Sequence, residues 1–251
     1  MTAGTQLFIE KHIDWIENNE FDKVYSKKSL ETFDRRELTE ILLSIGIDPL
    51  KHLTFVPENY LSQSNIKEFN VPSHIDRIST AAFWQCRELE KVTLPEGLIF
   101  IEDSVFAECH KLTQINLPST LEYIYEDAFA ETALKHVVIP DNVAKLSRHC
   151  FEECKQLETV KLGKHCVRLG MGVFGNCENL RYVRLNEGLE KIGEYAFKNC
   201  QSLKELYIPA TVNKISSFSF YECDPDIKII CDRDSYAHKY AEANGMEYTL
   251  I

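Results

Sequence analysis

The chain has 251 residues, 44% of them hydrophobic and 27% charged, with only 10 Gly and 8 Pro, which excludes disorder and collagen-like repeats. Its formal charge of −11 sets a mean field that repels a phosphate backbone, although a local basic face can exist on an acidic chain. No uninterrupted apolar run approaches the roughly 18 residues that cross a bilayer, and Met1 to Glu10 lack the basic region, apolar stretch and cleavage site of a secretory leader. Nine cysteines, an odd number without an export signal, favour reduced thiols over a disulfide framework, so the expected location is the cytoplasm.

Residues 1–50 read as a helical cap. Ile9, Ile13 and Ile16 share one helical face. Asp34, followed three residues later by Glu37, has the form of a capping box. It opens a helix that turns Leu38, Ile41, Leu42 and Ile45 inward and stops at Gly46, ahead of Asp48 and Pro49.

Residues 51–231 are governed by a period. Phenylalanine recurs at Phe83, Phe106, Phe129, Phe151, Phe174, Phe197 and Phe220, at spacings of 23, 23, 22, 23, 23 and 23. A second column, Val71, Leu94, Leu117, Ile139, Leu162, Leu185 and Ile208, keeps the same step and is followed by Pro in five coils and by Gly163 and Asn186 in two. Alternating pairs such as Val92 with Leu94 and Val183 with Leu185 suit short strands with one polar face, each ended by the Pro or Gly. The next leg, as in Leu98 with Ile101 or Leu189 with Ile192, turns two more apolar residues inward, and an Ala-Phe segment then seats one ring per coil. One coil cannot bury its own face, so stability has to come from stacking. Residues 232–251 read as a second cap: Ser235 or Asp234 opens a short helix through Tyr236, Tyr240 and Ala241, Gly245 closes it, and Met246 to Leu250 form a last strand.

The unit, with leucine, proline, isoleucine, the Ala-Phe pair and cysteine in fixed columns from about Ile66 to Cys231, resembles the BspA-like leucine-rich repeat family of bacterial and phage proteins. The C-terminal segment from Ser235 to Ile251 is similar to the ends common in that family. The resemblance implies an α/β, right-handed solenoid of about seven 23-residue coils between helical N-terminal and C-terminal caps, forming one structural domain. It also implies a bacterial or phage setting and a scaffold used for binding. Thr132 departs from the cysteine column, in the one coil that is a residue short before Leu134, and a slight kink is expected there.

Two chemical readings of the cysteines were weighed, a metal site and redox thiols. His149, Cys150, Cys154, His165 and Cys166 have ligand chemistry at crowded spacing. The register favours packing instead. Cys86, Cys109, Cys154, Cys177, Cys200 and Cys223 occupy one column three residues after each Phe, and Cys150, Cys166 and Cys231 fall in other apolar columns. No nucleophile with a base, paired carboxylates or phosphate loop is present, and Gly170-Met171-Gly172 reads as a turn. The expectation is a monomer that is not an enzyme and takes no cofactor or metal.

What remains is the outward side of the first-leg strands. Across its coils, three columns of 21 positions carry seven basic and four acidic residues, a polarised surface on an acidic chain. Lys161, Tyr182, Arg184 and Tyr207 cluster in its C-terminal half, and His136, Val138 and Lys91 lie on the same face. Tyr and Arg suit binding hot spots, since each offers rigid area with a polar end. The expected function is capture of a protein partner, acidic by charge complementarity. Nucleic acid is disfavoured by the surrounding negative field, and a membrane by the lack of a span. The alternative is a cell-surface adhesin with a leader upstream of this sequence.

Overall fold

The computed structural model describes residues 1–25 and 34–251. From residue 54 onward the chain winds as a parallel-strand solenoid of about nine coils. Each complete coil contributes two short strands, one from each apolar leg. The second legs form one uninterrupted sheet of eight parallel strands, from Phe55–Val56 through Arg77–Ile78, Phe100–Ile101, Tyr123–Ile124, Lys145–Leu146, Arg168–Leu169 and Lys191–Ile192 to Lys214–Ile215. The first legs form three sheets of three strands. These are Glu68–Asn70 with Lys91–Thr93 and Gln114–Ile115; His136–Val138 with Thr159–Lys161 and Tyr182–Arg184; and Glu205–Tyr207 with Lys228–Cys231 and Glu247–Leu250. The sequence reading placed a strand only on the first leg; the second leg is as regular, because each Lys-Ile or Arg-Leu pair points one residue out and one in.

Two coils escape the Phe column, which is why the period suggests about seven. In the first, Leu61 donates its N–H to Ala82 O as Phe83 donates to Val105 O, so Leu61 stands in the Phe position and Ser64 in the cysteine position. At the far end, the helix Tyr236–Ala243 replaces the second leg and the Phe turn, and Glu247–Leu250 adds a last rung.

Between the ladders the Phe column forms a continuous spine. Successive rings from Phe83 to Phe220 lie 5.2–5.9 Å apart and near parallel, and the six from Phe83 to Phe197 are fully buried. Each ring contributes roughly 1.5–3 kcal/mol through burial. The chain rounds each ring from Phe83 to Phe197 through two residues in the left-handed region, two before and two after the Phe, as at Ser104 and Glu108 or Tyr195 and Asn199. Gly172 takes this position in one coil, with φ +61, and an added Cβ would sit 2.5 Å from the His149 ring.

The first-leg ladder is interrupted between Gln114–Ile115 and His136–Val138. The coil here has 22 residues: Phe129 to Leu134 is one residue shorter than Phe106 to Leu112, which shortens the approach to the next strand. The second-leg ladder still pairs there, at Ile124 and Leu146.

The N-terminal cap contains α1 (Ala3–Glu17), α2 (Phe21–Val24) and α3 (Arg35–Ser44). His12 is non-helical, and this rotates the face of α1: Phe8 and Ile16 are buried, whereas Ile13, expected inward, is 45% exposed. Asp34 caps α3 as expected, accepting the Glu37 N–H at 3.0 Å, and Gly46 follows with φ +83. Ile45 is exposed, because the helix ends at Ser44 and the chain turns before Ile45 can face the core. The Glu37 carboxylate accepts the Thr2 N–H and hydroxyl, tying the start of α1 to α3, and these bonds lower its pKa to about 2. The cap meets the first coil through Arg36, whose guanidinium donates to Gln63 Oε1, and through the buried Tyr60 hydroxyl on Asp48. At the C-terminus Ser235 is the cap residue, its hydroxyl accepting the His238 N–H at 3.1 Å, while Asp234 takes φ +61.

Candidate binding surfaces

The thiols are satisfied within the repeat. Cys109, Cys154, Cys177, Cys200 and Cys223 each donate to the carbonyl of the Phe 26 or 25 residues earlier, at 2.9–3.2 Å, and Cys86 does the same to Leu61 O. The column therefore selects a small side chain with one donor. Thr132 fills the position with a different bond, its hydroxyl donating to Phe129 O within its own coil at 3.0 Å. Burial pushes the thiols up, to about 11 for Cys154, Cys166 and Cys223, which opposes the thiolate that metal binding or redox chemistry requires. His149 faces Glu152, at 2.8 Å, and His165 is exposed, so neither joins the buried Cys150, Cys154 and Cys166 as a ligand set. Among the described residues no group of three His, Cys, Asp or Glu is arranged to hold a metal ion.

On the first-leg face, register makes two columns. Val138, Lys161 and Arg184 are direct neighbours in one, and His136, Thr159 and Tyr182 in the other. Val138 is 61% and Tyr182 57% exposed, large apolar areas for an open strand face. His136 Nδ1 lies 2.9 Å from the Thr159 hydroxyl. Both ends of this central three-stranded sheet are open. At the interruption after Ile115 a cleft of about 570 Å³ is lined by Leu117, His136, Val138 and Asp141. At the second interruption, before Glu205–Tyr207, a cleft of about 680 Å³ is lined by Lys161, Tyr182, Arg184 and Tyr207 together with Glu187 and Glu205. Partial burial, with the Glu187 carboxylate beside it, pushes the Tyr207 phenol up. Lys91 stands apart from this cluster: it pairs in register with Glu68 and Gln114, and shares only a smaller cleft with His136. The basic excess counted along the sequence is diluted at the larger cleft, where Lys164 is bound to Asp141 at 2.8 Å and the two glutamates face Lys161 and Arg184.

The second-leg ladder carries a column that the sequence reading left out: Lys145, Arg168, Lys191 and Lys214, in direct register on four consecutive strands. The signal was present in the residue preceding the last apolar position of each second leg, at the same 23-residue step.

Two parallel ladders around an aromatic spine, capped at both ends and polar outside, define a leucine-rich-repeat solenoid, a scaffold whose extended surfaces serve binding. The sequence model of the BspA type leucine rich repeat region, in 6 copies, matches residues 3–86, 54–181 and 144–236, and the chain belongs to that family. Among solved structures, a leucine-rich repeat protein from Bacteroides ovatus is similar at 21% identity and a TM-score of 0.52, over 81% of this chain and 70% of that one. The leucine rich repeat protein of T. pallidum is similar at 23% identity and a TM-score of 0.55, over 76% of this chain and 87% of that one. Both likenesses bear on the fold. No curated protein matches the sequence.

Proposed function

We propose that the protein is a non-enzymatic interaction module that captures a protein partner on the first-leg face of its central coils. One observation carries this reading: the exposed Val138, Lys161, Tyr182 and Arg184 lie on a three-stranded sheet with a cleft at each end. Tyr182 and Tyr207 supply flat area, and Lys161 and Arg184 supply cations for carboxylates of the partner, while Glu187 and Glu205 make the cleft mixed in sign and select against a uniformly acidic surface. The partner is thus a folded protein with an acidic and apolar contact patch. The nine free, largely buried thiols support a protein working in a reducing compartment such as the cytoplasm.

The test is capture from a native-host lysate by wild type and by the triple variant Lys161→Glu, Tyr182→Ala, Arg184→Glu. The variant is expected to lose the partner at an unchanged melting temperature, since all three side chains are exposed. Retention of the same partner by the folded variant would contradict the assignment.

A further inference from the structure

The remaining outward surface is the second-leg ladder, where like charges run over four strands. Several other outward positions stack opposite signs between coils: Lys111 on Glu88 at 2.7 Å, Lys164 on Asp141 at 2.8 Å, Arg181 on Glu158 at 2.9 Å. At Lys145, Arg168, Lys191 and Lys214 the molecule stacks four cations on adjacent strands, in register. Among the described residues none of the four has an ion pair or a side-chain hydrogen bond. Like charges directly opposite one another destabilise a sheet, so the free protein carries a repulsion that an anionic ligand removes.

The four cations border a shallow groove of about 520 Å³. Its floor is the next outward column, Ser147, Gly170, Gly193 and Ser216, and it is low by necessity: a Cβ on Gly170 or Gly193 would lie 2.6 Å from the backbone of the preceding coil. Extended backbone can therefore approach the sheet closely. Asp103, Glu126 and Glu194 also line the groove, but Glu126 is held by Arg148, so the cations exceed the free carboxylates.

We propose that this ladder is a docking site for an extended acidic polypeptide segment of a partner protein, lying across the strands. Four strands at about 4.8 Å separation place the cations over about 14 Å, and same-side residues of an extended segment repeat at about 6.6 Å, so three carboxylates at alternate positions match the row. A nucleic acid strand fits less well. Single-stranded binding uses free aromatic faces for the bases, and the rings continuing this column are already stacked, Phe100 between Arg77 at 4.8 Å and Tyr123 at 4.9 Å, with Tyr123 39% exposed.

Fluorescence anisotropy at low salt, with a fluorescein-labelled oligoglutamate as probe and an oligothymidylate of equal charge in parallel, tests this. The oligoglutamate is expected to bind wild type, and Arg168→Glu with Lys191→Glu to weaken it at least about tenfold. Arg168→Gln with Lys191→Gln should weaken it less and in the same direction, with the groove intact. Lys161→Glu with Arg184→Glu, on the other ladder, should leave the affinity within about twofold, which separates this site from the one proposed above. Absence of oligoglutamate binding, equal weakening by reversals on either ladder, or tighter binding of the oligothymidylate would each overturn the proposal.

Discussion

The two strand ladders share one core and one period, yet they differ in continuity and in charge order. The second-leg ladder runs unbroken over eight strands, whereas the first-leg ladder is cut into three groups of three. A coil one residue short accounts for the first cut, because the deletion falls between Phe129 and Leu134, on the approach to the first leg. The second legs lie upstream of each Phe, and there the pairing survives. The first-leg column from Glu68 to Glu247 mixes signs along its length, whereas four rungs of the second-leg column hold only cations. A repeat thus builds geometry uniformly while leaving each outward column free to acquire its own chemistry. The two largest first-leg clefts lie at the ladder breaks, and the charge row lies on the unbroken ladder.

Both ladders rest on one spine of rings, so the largest effect should come from removing a ring beneath both. Phe151→Ala, in the centre of the column, should cost about 3–5 kcal/mol in urea denaturation. A loss below about 1 kcal/mol would mean that the two legs of that coil do not share a core. Next comes the thiol column, which bonds coil to coil from inside. Cys177→Val removes the thiol that donates to the Phe151 carbonyl of the preceding coil and should cost about 1 kcal/mol in the same denaturation experiment. Wild-type thiols should react with a disulfide reagent only as fast as the chain opens, because burial raises their pKa values.

Charge order itself gives effects of opposite sign on the two ladders. Arg168→Glu inserts an anion between Lys145 and Lys191 and should stabilise by about 0.5 kcal/mol, whereas Lys91→Glu places an anion beside Glu68 and should destabilise by about as much. Both shifts should fade at high salt. Equal signs for the two would erase the distinction between the ladders. The smallest expected effect lies outside both, in the N-terminal cap. The Glu37 pKa is lowered by its bonds to Thr2, from 4.5 to about 2, so its contribution is present above pH 4.5 and is lost as pH falls toward 2. Glu37→Gln should flatten that part of the acid-stability curve for the cap, followed by helical circular dichroism.

Much of this architecture could be read from residues alone where a column repeats from coil to coil. The Phe spine, the strand-ending Pro, the cysteine column, the turn at Gly170 to Gly172 and the caps at Asp34 and Ser235 all follow from local rules. The misses have physical causes. Leu61 and Ser64 take the backbone positions of Phe and Cys with other residue types, so the first coil hides from a search for those types. Ile13 and Ile45 are periodic but exposed, since His12 breaks the helical phase and α3 stops one residue early. Among the surface residues chosen from sequence, Lys161, Tyr182, Arg184 and Tyr207 do meet at one cleft, and Lys91 lies away from it across the ladder break.

The 23-residue step determined by itself that this chain is a stacked solenoid, because each coil exposes an apolar face that only an identical neighbour can cover. It also determined which residues share a column, since lateral register follows from the period. Only the tertiary structure decided which charges in those columns find partners, for pairing depends on side chains reaching between coils at distances the period does not encode. The carboxylates Glu88, Asp141 and Glu158 each reach a cation across a coil boundary. None does so at Lys145, Arg168, Lys191 and Lys214, and that difference gives the second-leg face its separate character.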